Sequence, residues 1–277
     1  LSHQNPIMAP IIPEFHRYVS RLEKLLQGGR HVCDVAILYP IETLQAGYRF
    51  GPEIQYTGGQ TAWEADYMEV GELLAYRLWT DHTFLHPQTL QERCTVKGGR
   101  LVLENQRNRE EYRVLVVTGS QVISLRSLQK IAEFSRTGGS VIFTGTLPIQ
   151  GISPAEDKAV CRLVQEMTGK SPLMPDVSYT VHTFGNGKVI CLGVLCLKNL
   201  QHAVTEAQEI YDVVLQPWRI RNGPLQSSPF DWCSHLPCGS LSYLHRKNDD
   251  ISILFLANSS DIPLSLHIAL RGRHNHA

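Results

Sequence analysis

Apolar residues at helical spacing open the chain. Phe15, Tyr18, Val19, Leu22, Leu25 and Leu26 fall on one stripe of residues 13–27. Pro13 suits a first helical turn and Gly28-Gly29 a left-handed stop, so the stretch predicts an amphipathic helix. The period then changes. Asp34-Val35-Ala36-Ile37-Leu38-Tyr39-Pro40 is a continuous apolar run ended by proline, the pattern of a strand buried on both faces. Residues 41–60 lose the pattern and read as an unusually long, glycine-bearing loop. Helical spacing returns from Thr61 to Trp79 through Trp63, Tyr67, Val70, Leu74 and Leu78, and a short strand at Thr83-Phe84-Leu85 follows.

The clearest unit runs from 112 to 145. Tyr112 to Thr118 reads as a buried strand, with Gly119-Ser120 as its turn. Ser124 then caps a helix carrying Leu125, Leu128, Ile131, Ala132 and Phe134, which Gly138-Gly139 ends, and Ser140 to Thr144 is the next strand. Strand, helix, strand with short joints predicts a parallel pair with a right-handed crossover. Ser153-Pro154 marks the start of a further helix reaching Thr168. Residues 178–196 read as a hairpin about Gly185-Asn186-Gly187, and a helix is expected near Gln201–Leu215. Proline, glycine and serine then dominate residues 221–239, as in a linker. Leu241–His245 and Ile251–Ala257 form a second expected hairpin, with Ile262–Leu270 as a third strand. The expected fold is α/β, flavodoxin-like, a mostly parallel sheet with helices on both faces, followed by the start of an antiparallel β module.

Composition narrows the function classes. Among 277 residues, Lys+Arg and Asp+Glu both number 26, so no net field draws nucleic acid or an anionic membrane. Arg107, Arg109 and Arg113 sit among Glu104, Glu110 and Glu111, and this mixed run reads as a solvated loop. No apolar run spans a bilayer. The first residues, Leu1-Ser2-His3-Gln4-Asn5-Pro6, lack an initiator Met and a signal-peptide pattern, so the chain reads as one entered midway. Seven scattered cysteines, several in apolar settings, favour buried thiols over a disulfide framework and lean towards the cytoplasm.

The search for chemistry yields few candidates. Thr118-Gly119-Ser120 and Thr144-Gly145-Thr146 are strand-to-helix turns, but neither matches Gly-x-Ser-x-Gly, and the elbow cysteine of class I glutamine amidotransferases is missing. Gly119, Ser120, Gly145 and Thr146 remain candidates for cradling an anion. No dinucleotide or Walker loop follows a strand, so no cofactor is expected. Cys233 and Cys238 with His235 between them make too few ligands for zinc, and no metal is expected. Glu42, Glu53, Glu64 and Asp66 lie in or beside the long loop, interleaved with Tyr48, Phe50, Tyr56 and Trp63. Carboxylates among aromatic faces suit a sugar ring, since glycosidases use carboxylate pairs. The same aromatics suit a contact surface that pins the loop to a neighbour. Glu42, Tyr48, Phe50, Glu53, Tyr56 and Trp63 are therefore ligand or interface candidates.

Three segments in order resemble one family, the large alpha-L-rhamnosidase-like glycoside hydrolases. Leu25 to Pro40 resembles the passage from catalytic barrel to middle domain, and Tyr112 to Pro148 resembles that domain's core, itself similar to the amidotransferase-like domain of some beta-galactosidases. Tyr243-Leu244-His245-Arg246 with Ile253 to Ser259 resembles the start of the β-sandwich that comes next. The resemblance implies that the acid and base carboxylates belong to a barrel upstream, so no catalytic residue is carried over to this chain.

Three expectations compete. The first is a non-catalytic structural or interaction domain of a glycoside hydrolase acting on rhamnoside- or galactoside-type plant or microbial polysaccharide. Its partner is the preceding catalytic barrel or a second copy of the chain. The second is a freestanding hydrolase or an amidotransferase relative with an altered site. The third is a carbohydrate-binding module. The expected division is a helix and linker over 1–33, the α/β domain over 34–220, and a linker with β-hairpin over 221–277.

Overall fold

The structure, a computed structural model, describes residues 5–49, 65–78, 80–104, 109–173, 178–207, 213–217, 241–258, 263 and 266–270. Continuous apolar runs become parallel strands, as their pattern requires. Strands β2 (Val35–Leu38), β3 (His82–Leu85), β7 (Val114–Val117), β8 (Ser140–Thr144) and β10 (Gly187–Leu192) lie parallel, and β9 (Tyr179–Phe184) closes one edge antiparallel to β10. Their spatial order is β3-β2-β7-β8-β10-β9. Numbering the five parallel strands along the chain gives 2-1-3-4-5, the doubly wound flavodoxin-like order.

The central strands β2, β7, β8 and β10 are buried on both faces, while the edge strands β3 and β9 are partly exposed. On one, Ala36, Leu115, Val117 and Phe143 pack with Leu128 and Ile131 of α5 (Leu125–Arg136) and with Val160 and Val164 of α6 (Asp157–Thr168). On the other, Val35, Ile37, Val114, Val116 and Ile142 pack with Val70 and Leu74 of α3 (Tyr67–Glu72) and the π-helical turn after it, and with Leu200 and Ala203 of α7 (Leu197–Glu206). Strict alternation along each strand sends neighbouring side chains to opposite faces. Ser124 caps α5 as its position suggested, accepting from the Ser127 N–H at 3.4 Å.

Several boundaries differ from the pattern reading, each for a physical reason. The first six residues of the expected long loop are helical, α2 (Ile41–Ala46), and residues 50–64 lie outside the described ones. Thr43 holds α2 down: its hydroxyl donates to the Val122 carbonyl at 2.9 Å and accepts the Val122 N–H at 3.1 Å. The mixed-charge run is not a solvated loop. With α4 (Pro87–Arg93) leading in, β4 (Cys94–Lys97), β5 (Arg100–Glu104) and β6 (Arg109–Tyr112) form an antiparallel sheet. The two-residue period of β6 turns Glu110 and Tyr112 inward, while Glu111 pairs with Arg100 at 2.8 Å and Arg109 at 3.1 Å. Arg113 reaches Asp34 at 3.4 Å; Arg107 lies outside the described residues.

Helix α6 begins at Asp157 rather than beside Ser153, because 153–156 form a turn in which the Glu156 N–H donates to the Ser153 carbonyl. The expected helix over 201–215 splits into α7 and strand β11 (Val213–Pro217), whose Val213-Val214-Leu215 pairs antiparallel with β14 (Leu266–Leu270). The terminal hairpin, β12 (Leu241–Asn248) and β13 (Ile251–Asn258), adds the short strand β1 (Arg30–His31) on its β12 side. Gly29 (φ +62°) permits this pairing, since a Cβ there would strike the Lys247 carbonyl. Helix α1 (Ile12–Leu26) precedes it and buries none of its residues; Phe15, Tyr18 and Leu25 are each almost half exposed.

Val116 is fully buried at the centre of the sheet. Val116→Asp places an unpaired carboxyl in a dry site at a cost above about 4 kcal/mol, a large share of a domain's total stability. We expect loss of soluble, cooperatively melting protein, whereas Val181→Asp on the exposed face of β9 should shift stability by less than about 1 kcal/mol. Normal yield and melting of the Val116 variant would contradict the burial.

Candidate functional site

Sheets of this order build their sites in the crevice at the carboxyl ends of the strands, where the order reverses. Here that crevice lies between β2 and β7. The structure brings Glu42 of α2, Gly119-Ser120 after β7 and Gly145-Thr146 after β8 to this one edge. Gly145 has φ +59°, which bends the chain away from β8, and its N–H donates to the Leu192 carbonyl at 2.8 Å. Backbone donors at such turns bind anions well.

The anion is already supplied. Asp66, at the start of α3, points its carboxylate into the turn: Oδ1 accepts the Gly119 N–H at 2.7 Å and the Thr144 hydroxyl at 2.8 Å. Glu42 is spent similarly. Its Oε2 accepts the Ser124 N–H at 2.9 Å, and Glu156 accepts the next donor, the Leu125 N–H, at 3.1 Å. Two carboxylates thus sit on the positive end of α5, where the helix dipole favours them. Ser120 is buried, and its hydroxyl donates to the Thr118 carbonyl at 2.6 Å, so it is not poised as a nucleophile. Its N–H reaches the Thr146 carbonyl at 3.4 Å. Each of these groups serves to close the edge.

Pattern reading placed Asp66 among the loop carboxylates but did not nominate it, and it passed over Glu156. Asp66 falls inside the helix expected from Thr61, so the sequence does not set it apart; α3 starts only at Tyr67, and the Asp66 side chain turns to Gly119 and Thr144 instead of capping it. Of the loop aromatics, Tyr48 lies just past α2 and is 39% exposed; Phe50, Glu53, Tyr56 and Trp63 lie outside the described residues.

A second polar group lies at the opposite, amino edge of the sheet. His31 Nε2 meets Asp81 Oδ2 at 2.6 Å, and the Cys33 thiol donates to the carbonyls of Val35 at 3.0 Å and Asp81 at 3.3 Å. Burial pulls the His31 imidazole's pKa down, but the hydrogen bond and charge of Asp81, with Glu110 behind it, outweigh burial and leave it raised. Burial pushes the Cys33 thiol well up. Among the described residues this is where three metal-ligating side chains converge.

The model of the alpha-L-rhamnosidase family matches residues 5–276. The chain belongs to this family. Among solved structures, a rhamnosidase from Novosphingobium sp. PP1Y superposes with a TM-score of 0.59 at 18% identity, over 96% of this chain and 21% of that one. A GH42 beta-galactosidase from G. stearothermophilus gives 0.53 at 12% identity, over 93% of this chain and 39% of the other. A beta-galactosidase from Bacillus circulans sp. alkalophilus gives 0.51 at 14% identity, over 88% and 39%. No curated protein matches the sequence. The rhamnosidase-family chain therefore shares its fold with part of much longer hydrolases and spans about a fifth to two fifths of their length.

Asp66 makes a direct stability test. Burial raises its pKa, against the pull of the hydrogen bonds from Gly119 and Thr144. An acid raised in the folded state stabilises fully below its unfolded value, near 3.8, and loses that contribution as pH rises through the folded value. Asp66→Ala orphans the Gly119 N–H and should cost about 1–3 kcal/mol in denaturant unfolding at neutral pH. Asp66→Asn keeps both acceptor contacts and should stay within about 1 kcal/mol of wild type. Wild type should gain on the Asn variant as pH falls into the acid window; a flat difference would contradict the buried carboxyl.

Proposed function

We propose that this chain is a non-catalytic structural or interaction domain of a larger glycoside hydrolase acting on rhamnoside- or galactoside-type polysaccharide. The observation that carries the reading is the closed carboxyl edge. The crevice where this sheet order builds a site is filled by the chain's own Asp66, with Glu42 and Glu156 capping the adjacent helix. A hydrolase at this edge needs a convergent nucleophile, base and oxyanion donors, whereas Ser120, Glu42, Glu156 and Asp66 are each hydrogen-bonded within the chain and the Thr146 hydroxyl is buried without a partner among the described residues. The partial coverage of longer hydrolases supports a role beside other domains.

In this reading residues 34–220 form the bracing domain, 1–33 lead in from a preceding domain, and 221–277 begin a β module. The acid and base carboxylates of the parent enzyme belong to a barrel outside these elements. The segment at 41–62 and the uncovered apolar stripe of α1 are the surfaces that meet that barrel or a second copy.

The chain alone should release no nitrophenol from aryl alpha-L-rhamnosides or beta-galactosides. Turnover that survives repurification and vanishes in Glu42→Gln would refute a non-catalytic role. In this reading, replacing Tyr48, Phe50 and Tyr56 together by Ser should leave the melting temperature within about 2 °C, since side chains that serve a partner rather than the domain's own core cost little to replace. The same variant should weaken self-association by sedimentation, or activity in the parent enzyme. Unfolding of that variant would assign the loop to this domain's own core.

A further inference from the structure

We infer that His31, Cys33 and Asp81 form a zinc site that clamps the link between β1 and β2 to the start of β3. Nitrogen, sulfur and oxygen donors in one group are the set that Zn2+ takes, whereas Mg2+ and Ca2+ prefer oxygen alone. One ligand atom from each residue lies within 4.8 Å of the others. Tetrahedral zinc with bonds of about 2.0–2.3 Å spaces its ligands by about 3.3–3.8 Å. The site therefore reaches ligating geometry by side-chain shifts of about 1 Å, with water as the fourth ligand.

Charge supports the same metal. On binding, the Cys33 thiol gives its proton to water, and His31 gives up the proton that its Nε2 shares with Asp81, also to water when the ring is charged, keeping one on Nδ1 so that Nε2 coordinates as a neutral imidazole. One thiolate and one carboxylate then balance one dication, leaving a neutral centre with Cys33 buried on one side and the partly exposed His31 and Asp81 open to a water ligand on the other.

The surroundings already orient the ligands. The His82 N–H donates to Asp81 Oδ1 at 2.9 Å, which leaves Oδ2 facing His31. His31 Nδ1 lies 3.5 Å from the Thr83 hydroxyl, which in turn lies 3.5 Å from Glu110 Oε2, the oxygen that also accepts the Tyr112 phenol. A ligating histidine commonly relays its second N–H towards a carboxylate in this way. The Asp81 N–H donates to the Tyr243 phenol oxygen at 3.0 Å, so the ligand that closes the clamp also touches β12. A metal here ties the β1-β12-β13 sheet to the edge of the parallel sheet.

The test uses the full chain, stripped with a chelator and titrated with Zn2+ or Co2+. We expect one equivalent of zinc, a melting temperature raised by about 5–10 °C at saturating metal, and a thiolate-to-cobalt charge-transfer band with tetrahedral d–d bands. Cys33→Ser, nearly isosteric, should remove the charge-transfer band and lower zinc affinity at least tenfold, and Asp81→Asn should weaken binding. Cys196→Ser and the double variant Cys233→Ser/Cys238→Ser should bind as wild type. Absence of bound zinc, or a cobalt band that persists in Cys33→Ser or vanishes in the double variant, would overturn the site.

Discussion

A parallel sheet covered on both faces leaves one problem at its carboxyl edge. The strands stop pairing there, the chain turns sharply into helices, and backbone N–H groups converge with nothing opposite them. Enzymes of this architecture leave that edge open for an anionic substrate or cofactor. In this chain Asp66 fills it, joining the turn after β7 to the end of β8 through a single carboxylate oxygen. Glu42 and Glu156 do the same for the two leading N–H groups of α5. The positions of α2, α3 and the β7–α5 turn all depend on these contacts.

The closed edge ties the sheet to its helices. Each face carries its own dry layer of helices, so neither is free to move without exposing aliphatic side chains to water. Exposed apolar side chains lie on α1 and at Tyr48, and also at scattered positions such as Met68, Ile152 and Leu173. The antiparallel additions extend the scaffold: β4, β5 and β6 bind Glu111 between two arginines, and β1 joins the terminal hairpin to the chain just before β2.

The parallel core was legible because its signal is local. Val35 to Leu38, Val114 to Val117 and Ser140 to Thr144 are continuous apolar runs bounded by capped helices, and each became a buried strand. What stayed hidden depends on partners distant in sequence. Charged Arg109 to Glu111 reads as a loop until β5 supplies a strand to pair with and Arg100 a counter-charge. Val213 to Leu215 cannot declare itself a strand before β14 is placed beside it. The edge turns at Gly119 and Gly145 were readable as anion cradles, but not the fact that Asp66, 53 residues before Gly119, fills them. His31 and Asp81 are likewise 50 residues apart, and no spacing rule joins them.

The account turns on whether the carboxyl edge is closed in solution. Amide NMR of Gly119 and Gly145 during titration with phosphate and with rhamnose reads those donors directly. The account predicts no saturable shift in wild type, and a new phosphate-dependent shift at Gly119 once Asp66→Ala empties the cradle. Saturable binding at the Gly119 or Gly145 amide of the wild-type chain would contradict it, because the edge would then be an open ligand site.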